Sequence, residues 1–217
     1  MPRPCTAISQ GSSERWFCAV ASSERSADVD AVVAALANDE VVVIPTDTVY
    51  GLAANPRSAV AMRRLFELKE RPDGVPVAVL VGSLEQAEEL VESSDVFHML
   101  AAEHWPGALT LVARSAPGID LNIGDSTNAD GVPTIGVRLP DHQLIRECAL
   151  AFGPIAATSA NIHGSPTIID PTELRSSFGG AVEVIVDAGL LKGVASTVVD
   201  VSSDELTVLR QGVVQVT

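Results

Sequence analysis

Four consecutive β-branched residues, Val41 to Ile44, constrain the fold of this chain most strongly. An uninterrupted apolar run of this kind is typical of a strand that is buried on both faces, since a half-exposed strand alternates apolar and polar residues. The segment from Ser26 onwards instead repeats apolar residues at helical spacing. A doubly buried strand beside an amphipathic helix indicates a sheet that is covered by helices, as in α/β proteins.

The same alternation of helix and strand patterns continues along the chain. Helix starts are indicated by caps, such as Asp170 before Pro171 and Ser83 with Gln86 three residues later. The predicted helices cover residues 26–36, 58–68, 83–91, 96–104, 141–151 and 170–178, and the predicted strands cover 41–44, 75–81, 108–113, 134–138, 154–157, 182–186, 197–201 and 206–209. Mixed strand and helix order predicts an α/β sheet with flanking helices.

Two segments show no periodic pattern. Residues 1–25 are rich in Ser, Arg and Glu, and we interpret them as a loosely held arm in front of a single domain at 26–217. Residues 114–133 are rich in Gly, Asp, Asn and Pro. A segment of this length without periodicity is either a functional lid or a disordered surface loop.

The charge balance limits the possible partners. The chain of 217 residues has 14 Lys+Arg against 28 Asp+Glu, for a formal charge of −14. Such a chain lacks the general attraction to phosphate backbones on which non-specific nucleic-acid binders depend, so a broad RNA-binding face is not expected. No signal-peptide pattern or membrane-spanning apolar run is present, and the three cysteines are too scattered for a disulfide framework. We therefore expect a cytoplasmic protein that does not bind membranes.

Several common catalytic signatures are missing from the sequence. No phosphate loop of the G-x-x-x-x-G-K-[ST] type, no G-x-G-x-x-G after a strand and no nucleophile elbow is present. The four histidines never form H-x-x-x-H or lie beside a cysteine pair, so a tightly bound metal is not expected. A site built from cations, hydroxyls and amides remains, and such a site suits anions.

Two cations stand directly before an apolar strand. Lys69 and Arg71 follow a predicted helix and lie in a bend fixed by Pro72 and Gly74. Because loops at a strand edge often deliver side chains to a pocket, this pair is either part of a functional site at a pocket rim or ordinary surface charge. We interpret three nearby cations as the solvated face of the preceding helix: Arg57, Arg63 and Arg64.

Other polar residues stand at the ends of predicted strands. Hydroxyl-rich turns occur in the segments PTDTVYG, TSANIHGSP and AST, where turn chemistry is an alternative to function. Arg138 and Arg210 each end an otherwise apolar strand. A guanidinium at such a position requires a carboxylate or phosphate partner.

These residues resemble the YrdC/Sua5 family of threonylcarbamoyl-AMP synthases. The resemblance covers nearly the whole chain after Ser26 and rests on an ordered set of segments at closely similar spacing: IPTDTVYGLAANP, LKERP, WPGALTLV, GVRLPDH, PIAATSANIHGSP, ASTVVDV and VLRQG. The family's K-x-R and S-x-N residues are present as Lys69 with Arg71 and Ser159 with Asn161. The resemblance implies the short, single-domain form of the fold, in which a twisted mixed sheet with flanking helices surrounds a concave cavity.

The resemblance also implies an activity. A synthase of this family makes threonylcarbamoyl-AMP and pyrophosphate from L-threonine, bicarbonate and ATP, and a downstream transferase complex passes the threonylcarbamoyl group to adenosine 37 of tRNA. Mg²⁺ would arrive with ATP, and no protein-ligated metal is expected. Two alternatives from other classes are an RNA-binding module and a carbamoyl-transfer module like that of hydrogenase-maturation proteins. A paralogue with a different substrate is a third alternative.

The family's roles carry over to matching positions in this sequence. Lys69 and Arg71 are expected on the ATP phosphates, with Ser159 and Asn161 orienting the two substrates. The remaining assignments place L-threonine on Thr48, Arg138 and Ser196, and the nucleotide on Thr134, Thr167 and Arg210.

The sequence departs from the family pattern at a few positions. Val75 stands where many members have Asn, and Leu80 stands where many have His. Two polar substrate contacts are therefore expected to be absent or supplied by other residues. A smaller departure is LRQG in place of the more usual LRPG, which leaves Arg210 intact.

Overall fold

The computed structural model describes residues 26–70, 75–203 and 205–216, so the predicted arm at 1–25 lies outside the described residues. The predicted alternation of helices and strands is confirmed. The helices are α1 (Ala27–Ala37), α2 (Ala59–Leu68), α3 (Leu84–Glu88), α4 (Asp95–His104), α5 (Gln143–Phe152) and α6 (Pro171–Phe178). The strands are β1 (Val42–Ile44), β2 (Gly51–Ala54), β3 (Ala78–Leu80), β4 (Val91–Glu92), β5 (Leu109–Ser115), β6 (Thr134–Arg138), β7 (Ile155–Ser159), β8 (Val184–Ile185), β9 (Thr197–Asp200) and β10 (Thr207–Arg210).

Side-chain caps explain where most helices begin. Four serines accept a hydrogen bond from the backbone N–H three residues later, which satisfies one free donor of the first helical turn: Ser26, Ser58, Ser83 and Ser94. Asp170 caps α6 in the same manner, through the N–H of Thr172, and Pro171 occupies the first helical position as predicted.

The prediction for the helix after Ser83 was wrong at its end. That helix was expected to carry Leu90 and Val91, but α3 ends at Glu88 and Val91 begins β4. Strand β4 pairs antiparallel with β5, where Val91 lies opposite Ser115. The backbone groups at Val91 are thus satisfied by a strand from a later part of the chain, which local helical spacing cannot reveal.

All strands belong to one mixed sheet. Its order is β10-β9-β5-β6-β3-β7-β2-β1-β8, and β4 pairs with β5 outside this path. Three neighbouring pairs are parallel, namely β1 with β8, β3 with β6 and β5 with β9. Strand β2 was not predicted, because its sequence GLAA has little strand propensity; pairing with β1 on one side and β7 on the other creates it.

One face of the sheet is covered along its central strands. Helices α2, α4 and α6 pack on it through apolar side chains such as Leu65, Phe97 and Phe178. The strands contribute residues that are 0% exposed: Val43, Leu52, Val79, Leu111, Val137 and Ala156. At about 25 cal/mol per Å² of apolar surface, this layer contributes much of the hydrophobic stabilisation.

The opposite face is only partly covered. Helices α1 and α5 pack over β1, β2 and the start of β7, where Ile44, Ala53 and Ile155 are fully buried. Beyond these helices, several residues of the same face remain partly exposed: Ala78, Gly136, Ser159 and Val198. We call this region, formed by β3, β5, β6, β9 and the end of β7, the open face.

Small residues keep space free on the open face. A Cβ added to Gly136 would lie 3.5 Å from Thr110 Cγ2, 3.6 Å from Val112 Cγ2 and 3.9 Å from Ala78 Cβ, so these residues share its face. Because side chains alternate along a strand, Thr134 and Arg138 project to the same face as Gly136.

The segment 114–133 runs from β5 to β6 and is held to the body of the protein by backbone hydrogen bonds. Its first residues complete β5, and the following part is tied to the body of the protein. Val77 N donates to Ile123 O and Asn122 N donates to Pro56 O, each at 2.8 Å. None of the described helices is long and apolar enough to cross a bilayer.

Candidate functional site

Lys69 forms the first group of predicted site residues together with Ser159 and Asn161. Its ammonium group donates to Ser159 O at 2.6 Å, to Asn161 O at 3.0 Å and to Asn161 Oδ1 at 3.0 Å. Lys69 is 1% exposed. The expected position at a pocket rim therefore differs from the observed one: the ammonium is buried, and protein oxygens compensate for its loss of water.

The side chain of Asn161 is fixed on both sides. Its Oδ1 accepts from Lys69 and from Ser159 Oγ at 2.6 Å, while its Nδ2 donates to Ile162 O at 2.9 Å and to Ser165 O at 2.7 Å. The end of α2 and the loop after β7 are thereby held together as one unit.

A second group is centred on Arg138 at the end of β6. Its Nε donates to Gly107 O at 2.9 Å, its Nη1 to Thr48 Oγ1 at 3.0 Å and its Nη2 to Asp47 Oδ1 at 2.6 Å. The side chains of Arg138 and Asp47 are 7% and 15% exposed. Burial lowers the pKa of Arg138 below its usual range, and the carboxylate of Asp47 opposes that shift.

A third group surrounds Ser196. Arg210 donates from Nε and Nη2 to Ser196 O at 3.1 and 2.9 Å, and from Nη2 to Ser196 Oγ at 3.1 Å. Ser196 Oγ also lies 3.0 Å from Thr110 Oγ1. Burial lowers the pKa of Arg210, and its positive charge lowers the pKa of Arg138. The positive charges of Arg138 and Arg210 therefore act on each other.

Of the three other predicted site residues, two lie within the described part of the chain. Thr134 is buried, and its Oγ1 lies 2.6 Å from Ser126 Oγ. Thr167 is half-buried and forms no side-chain hydrogen bond within the described part of the chain. Arg71 lies outside the described residues.

The loop at residues 45–50 connects the first two groups. It carries Asp47 and Thr48, which contact Arg138, and leads into Gly51. Gly51 is the register partner of Ser159. The Lys69 and Arg138 groups are therefore joined through one short loop.

Sequence reasoning missed three polar residues of this region: Thr46, Asp47 and Thr110. Thr46 Oγ1 lies 2.9 Å from Thr48 Oγ1 and donates to Val49 O at 2.6 Å. A signal for Thr110 exists, since it is a polar residue within an apolar strand. Asp47 lies within the quoted segment PTDTVYG, between two threonines whose hydroxyls support the loop.

Two surface cavities lie away from these groups. A cavity of about 420 Å³ is lined by Glu40, Arg64 and Glu67 among others, and Arg64 already pairs with Glu40 at 3.1 Å. A cavity of about 660 Å³ beside α2 is lined by more acidic than basic side chains. Among residues 26–70, 75–203 and 205–216, no group of three or more His, Cys, Asp and Glu could hold a metal ion.

Comparisons with known proteins give consistent matches. The sequence pattern of the Sua5/YciO/YrdC family, described as telomere recombination, matches residues 34–212. A putative threonylcarbamoyl-AMP synthase of Mycobacterium leprae is 37% identical over 89% of this chain and 86% of its own length. The threonylcarbamoyl-AMP synthase of Bacillus subtilis is 35% identical over 92% of this chain and 58% of its own.

Solved structures agree with the fold. Pyrococcus abyssi Sua5 complexed with L-threonine is similar with a TM-score of 0.75 and 35% identity, over 85% of this chain and 54% of that one. Escherichia coli YciO has a TM-score of 0.76 and 26% identity, over 85% of this chain and 89% of that one. HypF in its phosphate- and nucleotide-bound form, at 21% identity and a TM-score of 0.73, supports the fold alone.

Proposed function

Because this chain belongs to the Sua5/YciO/YrdC family, we propose that it is a threonylcarbamoyl-AMP synthase that uses ATP and L-threonine and serves the t6A modification of tRNA. One observation supports this most directly. Lys69 of the K-x-R segment and the S-x-N residues Ser159 and Asn161, some 90 positions apart in sequence, form one hydrogen-bonded unit. Arg138 and Arg210 lie on the same sheet near the open face.

The reaction brings several negative charges together. The ammonium group of L-threonine would first lose a proton, and the resulting amine would combine with bicarbonate to a carbamate with loss of water. The carbamate oxygen would then attack the α-phosphorus of ATP while pyrophosphate leaves. Fixed cations reduce the repulsion between these groups, and holding the reactants in register lowers the barrier further. Neither step needs a covalent intermediate on the protein.

The residue roles follow the groups of the site. Lys69 and Arg71 would act on the phosphates and on the carbamate. Because the Lys69 ammonium is held by Ser159 and Asn161, we assign it a second role in fixing the S-x-N loop. Three residues around Arg138 and Arg210 would hold L-threonine: Thr48, Arg138 and Ser196. The nucleotide would lie on Thr134, Asn161, Thr167 and Arg210.

Further partners belong to the same proposal. Mg²⁺ would arrive with ATP and bind mainly through its phosphate oxygens. Separate transferase proteins would accept the product and contact the tRNA, since a chain with a charge of −14 has little general attraction for RNA. We place the enzyme in the cytoplasm, together with the tRNAs that receive the threonylcarbamoyl group.

A reconstituted reaction tests the function. Purified protein with ATP, bicarbonate and L-threonine should release pyrophosphate and form an adenylate with the mass of threonylcarbamoyl-AMP. Omission of any one substrate should abolish both products. If pyrophosphate release does not depend on L-threonine, the synthase assignment is wrong.

A paralogue with a different amino-acid substrate is a second candidate. Leu80, which replaces a His of many family members, is 4% exposed and packs among apolar residues under α5. It offers no polar group to a substrate. A panel of amino acids in the pyrophosphate assay separates the candidates, because only the synthase should favour L-threonine over serine, alanine and valine.

A further inference from the structure

We propose that Asp47 binds the ammonium group of the substrate amino acid while Arg138 binds its carboxylate, so that the pair selects a zwitterion. This inference rests on the proposed function, since Arg138 is the residue assigned to the amino-acid carboxylate. It adds a specificity-determining residue that the family's K-x-R and S-x-N pattern does not contain.

One oxygen of Asp47 is available for a ligand. Its Oδ1 accepts from Arg138 Nη2 at 2.6 Å, whereas its Oδ2 accepts no hydrogen bond from any described residue. The side chain is 15% exposed. The hydrogen bond to Oδ1 fixes the whole carboxylate. Its Oδ2, which has no protein donor, is therefore a fixed acceptor for an incoming cation.

Arg138 has donors left as well. A guanidinium has five N–H bonds, and the described residues use three of them, on Gly107, Thr48 and Asp47. Two N–H bonds therefore remain for a carboxylate. They belong to the same guanidinium that fixes Asp47, so a free donor and a free acceptor lie side by side.

This arrangement is complementary to an α-amino acid. At neutral pH such a substrate carries a carboxylate and an ammonium on one carbon, and its net charge of zero matches that of the Asp47–Arg138 pair. A hydroxy acid would place an uncharged hydroxyl against the Asp47 oxygen. A phosphate group would be repelled by Asp47, which directs the triphosphate toward cations without a carboxylate neighbour.

Titration calorimetry with two matched ligands tests the inference. L-threonine and the corresponding 2,3-dihydroxybutanoate share their carboxylate and 3-hydroxyl, and only the former has an ammonium. The wild-type protein should bind L-threonine more tightly by about ten- to a hundredfold, the effect of one charge-assisted hydrogen bond. Asp47→Asn should lose most of this ratio, and Asp47→Glu should retain part of it because the charge is kept.

The matched control is Asp141→Asn. Asp141 is a nearby carboxylate whose side chain is 69% exposed and pairs with Arg146. This variant should keep the wild-type ratio. If Asp47→Asn weakens both ligands by the same factor, Asp47 acts only through Arg138 and the inference is wrong.

Two further measurements keep the inference testable. Should Asp47→Asn fail to fold, N-acetyl-L-threonine replaces the variant: the wild type should bind it as weakly as the dihydroxy acid, and binding as tight as that of L-threonine overturns the inference. Pyrophosphate release by the wild type distinguishes failure of the synthase assignment from failure of the Asp47 inference. Release that does not depend on L-threonine refutes the synthase, whereas an unchanged ligand ratio in Asp47→Asn refutes only the role of Asp47.

Discussion

The ammonium group of Lys69 lies 3.0 Å from Oδ1 of Asn161, although 92 positions separate the two residues in the sequence. Lys69 is the C-cap residue of α2, and Asn161 lies two residues after Ser159, the last residue of β7. The contact therefore joins a helix end to the loop that follows an internal strand of the sheet. It makes Lys69 a structural residue as well as a candidate catalytic one.

Replacement of Lys69 should affect both activity and stability. Lys69→Ala removes a charge-assisted contact and should lower the rate of pyrophosphate release by tenfold to a hundredfold or more. It also leaves buried oxygens of Ser159 and Asn161 without this donor, which should cost about 1–3 kcal/mol of unfolding free energy. The other lysine, Lys192, is exposed, and Lys192→Ala should leave both quantities unchanged.

Asn161→Asp should loosen the S-x-N loop. The carboxylate keeps an acceptor for Lys69 and Ser159 but replaces the Nδ2 group that donates to Ile162 O and Ser165 O. The new carboxylate oxygen would then face Ile162 O and Ser165 O without a proton between them. Hydrogen exchange of the amides of residues 162–165 should become faster, whereas Asn38→Asp on the surface at the end of α1 should not change it. Unaltered exchange in Asn161→Asp would show that the amide does not hold the loop.

Gly136→Val should lower activity while leaving the stability of the fold nearly unchanged. The added Cβ meets neighbours at 3.5 Å or more, and valine suits a strand, so the melting temperature should change by only a few degrees. Its methyl groups would fill the open face, and pyrophosphate release should fall at least tenfold. Gly136→Ala, which adds only the Cβ, should retain more activity than Gly136→Val; the reverse order would place the substrates elsewhere.

His142 should make stability depend on pH. Burial lowers its pKa, as does the charge of Arg146, while Asp47 and Asp141 oppose the shift. Its Nδ1 is buried without a hydrogen-bond partner among the described residues. The unfolded chain therefore takes up this proton more readily than the folded one, so the contribution of His142 is present above pH of about 6.5 and is lost as the pH falls below it.

Urea unfolding at pH 7.5 and 5.5 measures this effect. In His142→Gln the decrease in unfolding free energy between the two pH values should be smaller than in the wild type. His163→Gln, at an exposed histidine, should show the wild-type decrease. Equal decreases in His142→Gln and the wild type would rule out His142 as a source of the pH dependence.

Local sequence patterns predicted most helices and strands because their causes are local. Apolar spacing, serine caps and the pair Asp170–Pro171 act within a few residues, and the structure confirms the helices that they indicate. Strand β2 and the early end of α3 depend on pairing with distant strands. For that reason neither was visible in the sequence.

The sequence by itself determined which chemical groups this protein has available: few cations, placed beside strand ends, with hydroxyls and amides in nearby turns. Only the tertiary structure decided their partners. It buried Lys69 on the S-x-N loop, placed Asp47 against Arg138 and brought Arg210 to Ser196. The physical reason is that a buried charge requires a partner in space, and chain folding brings that partner from any distance along the sequence.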